Sequence, residues 1–117
     1  MSIADLKNER WALDSAASFY AEFLLNLCRR SGFDPKVNAT CRGSEMVMAM
    51  VSSGCSVTVI PGLRLTQQLK NVVAIRIRPE IGRRISVAFR KGDRKHPAIK
   101  VCVEQILKAA VKLPAIN

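Results

Sequence analysis

The sequence is poor in the residues that most often carry chemistry. It holds one histidine, His96, among 117 residues, so any Ser or Cys nucleophile would have only that position, in a basic loop, to supply its imidazole base. No triad follows, and His96 is expected to cap a helix or face solvent. Four cysteines, Cys28, Cys41, Cys55 and Cys102, stand 13, 14 and 47 positions apart. That spacing gives no CxxC and no Cys/His cluster, so no metal site is expected, and the thiols read as reduced and mostly buried. Aromatic residues number one Trp, one Tyr and four Phe, too little flat surface to stack bases. No apolar run reaches the roughly 18 residues of a membrane span. Met1 to Arg10 carries Asp5, Lys7 and Glu9 where a signal peptide would be apolar. The expectation is a cytoplasmic protein with no membrane partner. Phosphate-cradling loops are missing as well: Gly54 and Gly62 bracket Cys55 to Pro61 without GxGxxG or GxxxxGK[ST]. The nine acids are scattered as single charges, which leaves no carboxylate pair for acid and base work. Together these absences argue against an enzyme and against a bound cofactor.

What remains is apolar and basic. A hydrophobic fraction of 49% over 117 residues excludes a disordered chain and suits one core. The net charge is +10, and Arg76 to Lys100 holds nine Lys and Arg against only Glu80 and Asp93. Such a surface attracts anions, nucleic acid among them. It lacks zinc-finger spacing, an RNP-type aromatic motif and a pair of short helices around a Gly turn, so a solvated basic face is the commoner explanation.

Along the chain, Ser2 with Ile3 to Lys7 reads as a capped turn and Arg10 to Leu13 as a brief strand. From Ser18 to Ser31 apolar residues fall at Phe19, Phe23, Leu24, Leu27 and Cys28, one stripe of a helix. Gly32 ends it and Pro35 prevents its resumption. Lys36 to Cys41 fits a strand, Ser44 and Glu45 suit a helix start, and Met46 to Val51 forms a helix stopped by Gly54. Val57 to Ile60 is a β-branched run ending at Pro61, as in a buried parallel strand. The order βαβαβ predicts a parallel sheet between helices. Val72 to Ile77 and Ile85 to Arg90 read as two further strands. Pro97 then opens a last helix whose apolar face is Ile99, Val103, Ile106, Leu107 and Ala110.

Three segments in this order are specific in combination. They are Gly32-Phe33-Asp34-Pro35, then Met50-Val51-Ser52-Ser53-Gly54 running into Val57-Thr58-Val59-Ile60-Pro61, then Phe89 to Ala98 with its basic run before Pro97-Ala98. The pattern resembles the effector-binding domain of LysR-type transcriptional regulators over about Ser2 to Val111. Ile3-Ala4-Asp5-Leu6 and Cys28 also fit.

The resemblance implies an α/β fold like a type 2 periplasmic binding protein, with two lobes and a small-molecule cleft between them. This chain is expected to supply an incomplete two-lobe domain: residues 1–78 as the second lobe, and residues 79–117 as the crossover strand and carboxyl-terminal helix that would complete the first. A helix-turn-helix, a linker helix and most of the first lobe would precede Met1, and DNA would be contacted only through that helix-turn-helix. Parallel sheets bind ligands beyond the carboxyl ends of their strands. That rule selects Ser15 and Ser18 after the first strand, Thr40 and Arg42 after the second, and Ile60 and Pro61 after the third, while the resemblance places effector contacts on Thr40 to Gly43. Arg42 suits a carboxylate and hydroxyls can donate to one. Asp14 would repel an anion unless it pairs with Arg42 or caps the helix. The implied partner is a small acidic effector bound non-covalently. The resemblance also implies a homo-oligomer, and an uncovered crossover segment invites swapping through residues 84–111. The alternative is a basic protein that binds nucleic acid in its own right.

Overall fold

Trp11 is fully buried, and the first part of the chain is assembled around it. The computed structural model describes residues 1–66 and 70–113, the side chains of Ser18 and Thr66 excepted. Two compact units are resolved, Met1–Ile81 and Gly82–Asn117.

In the first unit a single 3-10 turn, Ile3–Leu6, leads into β1, Arg10–Asp14. The turn is closed by Asp5, whose carboxylate accepts the Ser2 backbone N–H at 2.8 Å. Helix α1, Ser18–Arg30, returns the chain to β2, Lys36–Cys41, which pairs parallel with β1. Helix α2, Ser44–Ser52, follows. The core is Ile3, Trp11 and Cys28, with Leu6, Leu27, Phe33, Val57, Val59 and Ile77 packed against it. The Trp11 indole donates to the Leu6 carbonyl at 3.4 Å, and its ring lies 6.3 Å from that of Phe33. Leu24 and Cys28 are buried as the apolar stripe of α1 requires. Phe19, assigned to the same stripe, is 89% exposed instead. It sits in the first turn of α1, whereas Cys28, near the other end, packs against Ile3 and Trp11.

Both helices of this unit stop by local chemistry. Gly32, at φ +91°, adopts the left-handed conformation after Ser31. There its N–H reaches the Arg29 carbonyl at 3.0 Å while the Phe33 N–H reaches that of Cys28 at 3.2 Å. This pair of bonds satisfies carbonyls that the helix end would leave open. Helix α2 ends with the same pair, Gly54 N–H to Val51 and Cys55 N–H to Met50.

The β1–β2 register runs from Arg10 opposite Lys36 to Asp14 opposite Cys41, and it skips Asn38 at an irregularity beside Trp11 and Ala12. At this irregularity the Asn38 side-chain amide binds the loop after α2: Nδ2 donates to the Cys55 carbonyl at 3.0 Å and Oδ1 accepts the Ser56 hydroxyl at 2.7 Å. Ser56, a buried polar side chain, is thereby satisfied.

The third strand expected at Val57 to Ile60 is reduced to one parallel bridge, Trp11 with Val57. Val57 donates to Arg10 at 2.7 Å and accepts from Ala12 at 3.0 Å. A continuing parallel ladder would next bond Val59 N–H to the Ala12 carbonyl. That carbonyl accepts the Thr58 hydroxyl at 3.0 Å instead, a side chain competing with the ladder.

Two other expected strands do not form. Val72 to Ile77 and Ile85 to Arg90 are without regular structure, because alternation makes a strand only when a neighbour takes its hydrogen bonds. Among the described residues none does. The first of these segments is fixed by the Arg78 N–H on the Met1 carbonyl at 2.7 Å and by Ile77 in the core.

In the second unit, a 3-10 turn at Lys91–Asp93 precedes α3, Pro97–Val111. His96 caps α3 through Nδ1, which accepts the Ala98 N–H at 3.2 Å, and Pro97 occupies the first turn. No described residue of this unit is buried. The cysteines also depart from expectation. All four are free, but only Cys28 is buried, and Cys55 and Cys102 are exposed.

Candidate functional site

The carboxyl ends of β1 and β2 meet at one edge, where Leu13 pairs with Thr40 and Asp14 with Cys41. Beyond β1, Ser15 is tied to β2 twice: its N–H donates to the Cys41 carbonyl at 2.8 Å and its hydroxyl to the same oxygen at 3.1 Å. The Ser15 proton is therefore committed to that carbonyl, against the expectation that this hydroxyl is a free donor. Ser18 opens α1, and its side chain lies outside the described residues.

Asp14 is the residue whose role the sequence did not disclose. One carboxylate oxygen accepts the Ala16 N–H at 2.9 Å and the Gly43 N–H at 3.0 Å. The first bond is an Asx-type turn, a signal available in the sequence as an Asp at a strand end. The second joins the β1–α1 junction to the β2–α2 junction and was not legible. Asp14 neither pairs with Arg42 nor caps α1, whose preceding residue, Ala17, has no side chain to do so.

Gly43 precedes α2 at φ +92°. That backbone is strained for any residue with a Cβ, and it aims the Gly43 N–H at Asp14. Ser44, expected as the cap, is instead the first residue of α2, and no side chain caps it. Thr40 and Arg42 are exposed, and Arg42 takes part in no ion pair among the described residues. A guanidinium so placed has five donors free for a carboxylate.

Ile60 and Pro61 are half-buried after the Val57 bridge. Their segment is held against the first turn of α1, where the Tyr20 hydroxyl donates to the Val59 carbonyl at 2.7 Å. Pro61 starts the 3-10 turn Gly62–Thr66 by accepting the Arg64 N–H at 2.9 Å. Hydrogen bonds thus join the junctions that carry Ser15 and Gly43, and the ladder sets Thr40 beside them. Ile60 and Pro61 are linked to the same edge through α1 rather than by direct bonds.

Other features lie away from this edge. A mostly apolar hollow of about 250 Å³ is lined by Ile3, Leu27, Ile77 and Ile81, with Ser31 and Arg78 among its polar neighbours. Burial pushes the Cys28 thiol pKa up, helped by the Asp34 charge, and hydrogen bonds from Ser2 hold Asp5 below the ordinary carboxylate value. Among the described residues no three His, Cys, Asp or Glu side chains are grouped to hold a metal ion.

Compared with known protein families, the chain matches the model described as LysR substrate binding domain over residues 1–111. No curated protein and no solved structure matches it.

Proposed function

We infer a sensing role from one premise: this chain belongs to the LysR substrate binding domain family. The family has the periplasmic-binding-protein-like α/β fold, and its domains sense effectors within transcription regulators rather than catalyse reactions. Our specific reading is that a small carboxylate binds non-covalently at the edge where β1 and β2 end. Arg42 takes the carboxylate, with Thr40 and Gly43 beside it. Ser15, Ser18, Ile60 and Pro61 complete this wall. The observation that supports the reading is the parallel pairing of Leu13 with Thr40, which sets both strand ends at one edge, the position where open parallel sheets take ligands. A ligand that prefers one arrangement of the regulator shifts its population toward that arrangement.

The experiment is a thermal-shift screen of small carboxylic acids on the chain and on Arg42→Gln. A bound acid at 100 times its Kd stabilises the wild-type chain by about 2.7 kcal/mol, and Arg42→Gln loses that response. A hit that stabilises both proteins equally removes Arg42 from the site.

The proposed setting is cytoplasmic, with DNA contacted in the intact regulator by a helix-turn-helix domain. Among the described residues no helix is long and apolar enough to cross a membrane. We further propose that two copies associate through residues 84–111, where Ile85, Ile106 and Leu107 are exposed. A monomer mass in light scattering at high concentration contradicts that association.

A further inference from the structure

Charge is divided unequally between the two units. Gly82–Asn117 holds nine Lys and Arg against two acids, whereas Met1–Ile81 holds ten against seven. In the second unit Arg84, Arg90, Lys91, Arg94, Lys95 and Lys100 are exposed and take part in no ion pair among the described residues. Asp93, one of its two acids, is half-buried in the 3-10 turn. Even fully extended, the stretch from Arg84 to Lys95 spans at most roughly 40 Å, about one turn of a DNA duplex.

From this density of unpaired cations we propose that the second unit binds duplex DNA directly, through the phosphate backbone and without reading sequence. The proposal goes beyond effector sensing and does not rest on it. Clustered cations gain free energy by displacing the counterions condensed on a duplex, and phosphate contacts position a protein without specifying bases. Phe89 is the only aromatic residue of this unit, so single strands find no stacking platform on it. The densest run, Arg90 to Lys95, lies before α3 rather than along it. Membrane-surface helices instead line their own polar face with cations and anchor with aromatic residues.

The test is fluorescence anisotropy of the full chain with a labelled mixed-sequence duplex of about 20 base pairs, titrated from about 50 to about 200 mM salt. Six phosphate contacts predict an affinity loss on the order of 10³-fold across that range. Neutralising Arg84, Arg90, Lys91 and Arg94 to Gln lowers the slope of log K against log salt by about 3.6, at roughly 0.9 per contact. Replacing Arg84, Arg90 and Arg94 by Lys, which keeps the charge, retains binding. A control neutralises Lys7, Arg30, Lys36 and Arg64 of the first unit and leaves the slope nearly unchanged. Circular dichroism checks that each variant is folded. Equal losses in both neutralised variants overturn the proposal, since net charge alone then drives binding. Tighter binding to anionic vesicles than to the duplex, or none to the duplex at the lower salt, overturns it as well.

Discussion

In Met1–Ile81 the apolar side chains of β1 and α1 pack on one another, whereas in Gly82–Asn117 those of α3 are exposed or half-buried. Both units nevertheless contain well-formed helices, α1 closed at its carboxyl end by Gly32 and α3 capped at its start by His96. The difference separates two kinds of stability. A helix satisfies its own backbone, so α3 forms with His96 and Pro97 at its start although no residue on it is buried. A strand depends on a neighbour. Lys36–Cys41 has β1 and becomes β2, while Ile85 to Arg90, with Ile85, Val87 and Phe89 the richer in strand-forming residues, has no partner among the described residues and stays irregular.

The strongest way to break this comparison is to remove one aromatic side chain from each unit. Trp11→Ala deletes a fully buried ring and is expected to destabilise the first unit by about 3–5 kcal/mol. Phe89→Ala removes a side chain that is 45% exposed, and its expected cost is within about 0.5 kcal/mol. Urea unfolding followed by circular dichroism measures both. Comparable losses mean that Phe89 packs in solution, and the contrast between the units disappears.

The same contrast governs what could be read in advance. The turn at Ile3–Leu6, all three helices and both paired strands were legible because each is fixed by local signals: alternation, the stripe through Leu24 and Cys28, and glycines at helix ends. What failed depended on a choice between partners. Thr58 shows this, since its hydroxyl takes the Ala12 carbonyl and cuts the third strand to a bridge. Asn38 is another case: the irregularity at which its side-chain amide binds Cys55 and Ser56 has no signature in the sequence. At the candidate edge the strand-end rule selected Ser15, Thr40 and Arg42 by topology. It did not reveal that Ser15 spends its proton on Cys41 or that Asp14 links two junctions 29 positions apart.

Asp14 sharpens the account of the first unit at an intermediate scale. Its carboxylate accepts two backbone N–H groups, one from each junction. Asp14→Ala leaves the half-buried Gly43 N–H without its partner, and an unmet donor of that kind costs about 1–3 kcal/mol. Partial access to water puts the expected value near the lower end. Asp14→Asn keeps an acceptor and should recover most of the loss. Amide hydrogen exchange at Gly43 is the discriminating readout: faster exchange in Asp14→Ala with near wild-type exchange in Asp14→Asn supports the linkage, and unchanged exchange in both removes it.

The smallest effect compares thiols across the two units. Cys28 lies in the core and its pKa is raised by burial and then by Asp34, while Cys102 on α3 is exposed. The thiolate is the reactive species, so iodoacetamide at neutral pH should label Cys102 and the exposed Cys55 well before Cys28, as read by peptide mass spectrometry. A raised folded-state pKa also fixes the sign of a pH dependence. Below the ordinary thiol value both folded and unfolded chains keep the Cys28 proton, and its contribution to stability is fully present. As pH rises toward the higher folded value the unfolded chain loses that proton first, so stability falls. Cys28→Ala should flatten this alkaline decline at the expense of a cavity that lowers stability at every pH. An equally steep decline in the variant would assign the alkaline loss to other groups, and equal labelling of Cys28 and Cys102 would show that the core around Trp11 opens as readily as the surface of α3.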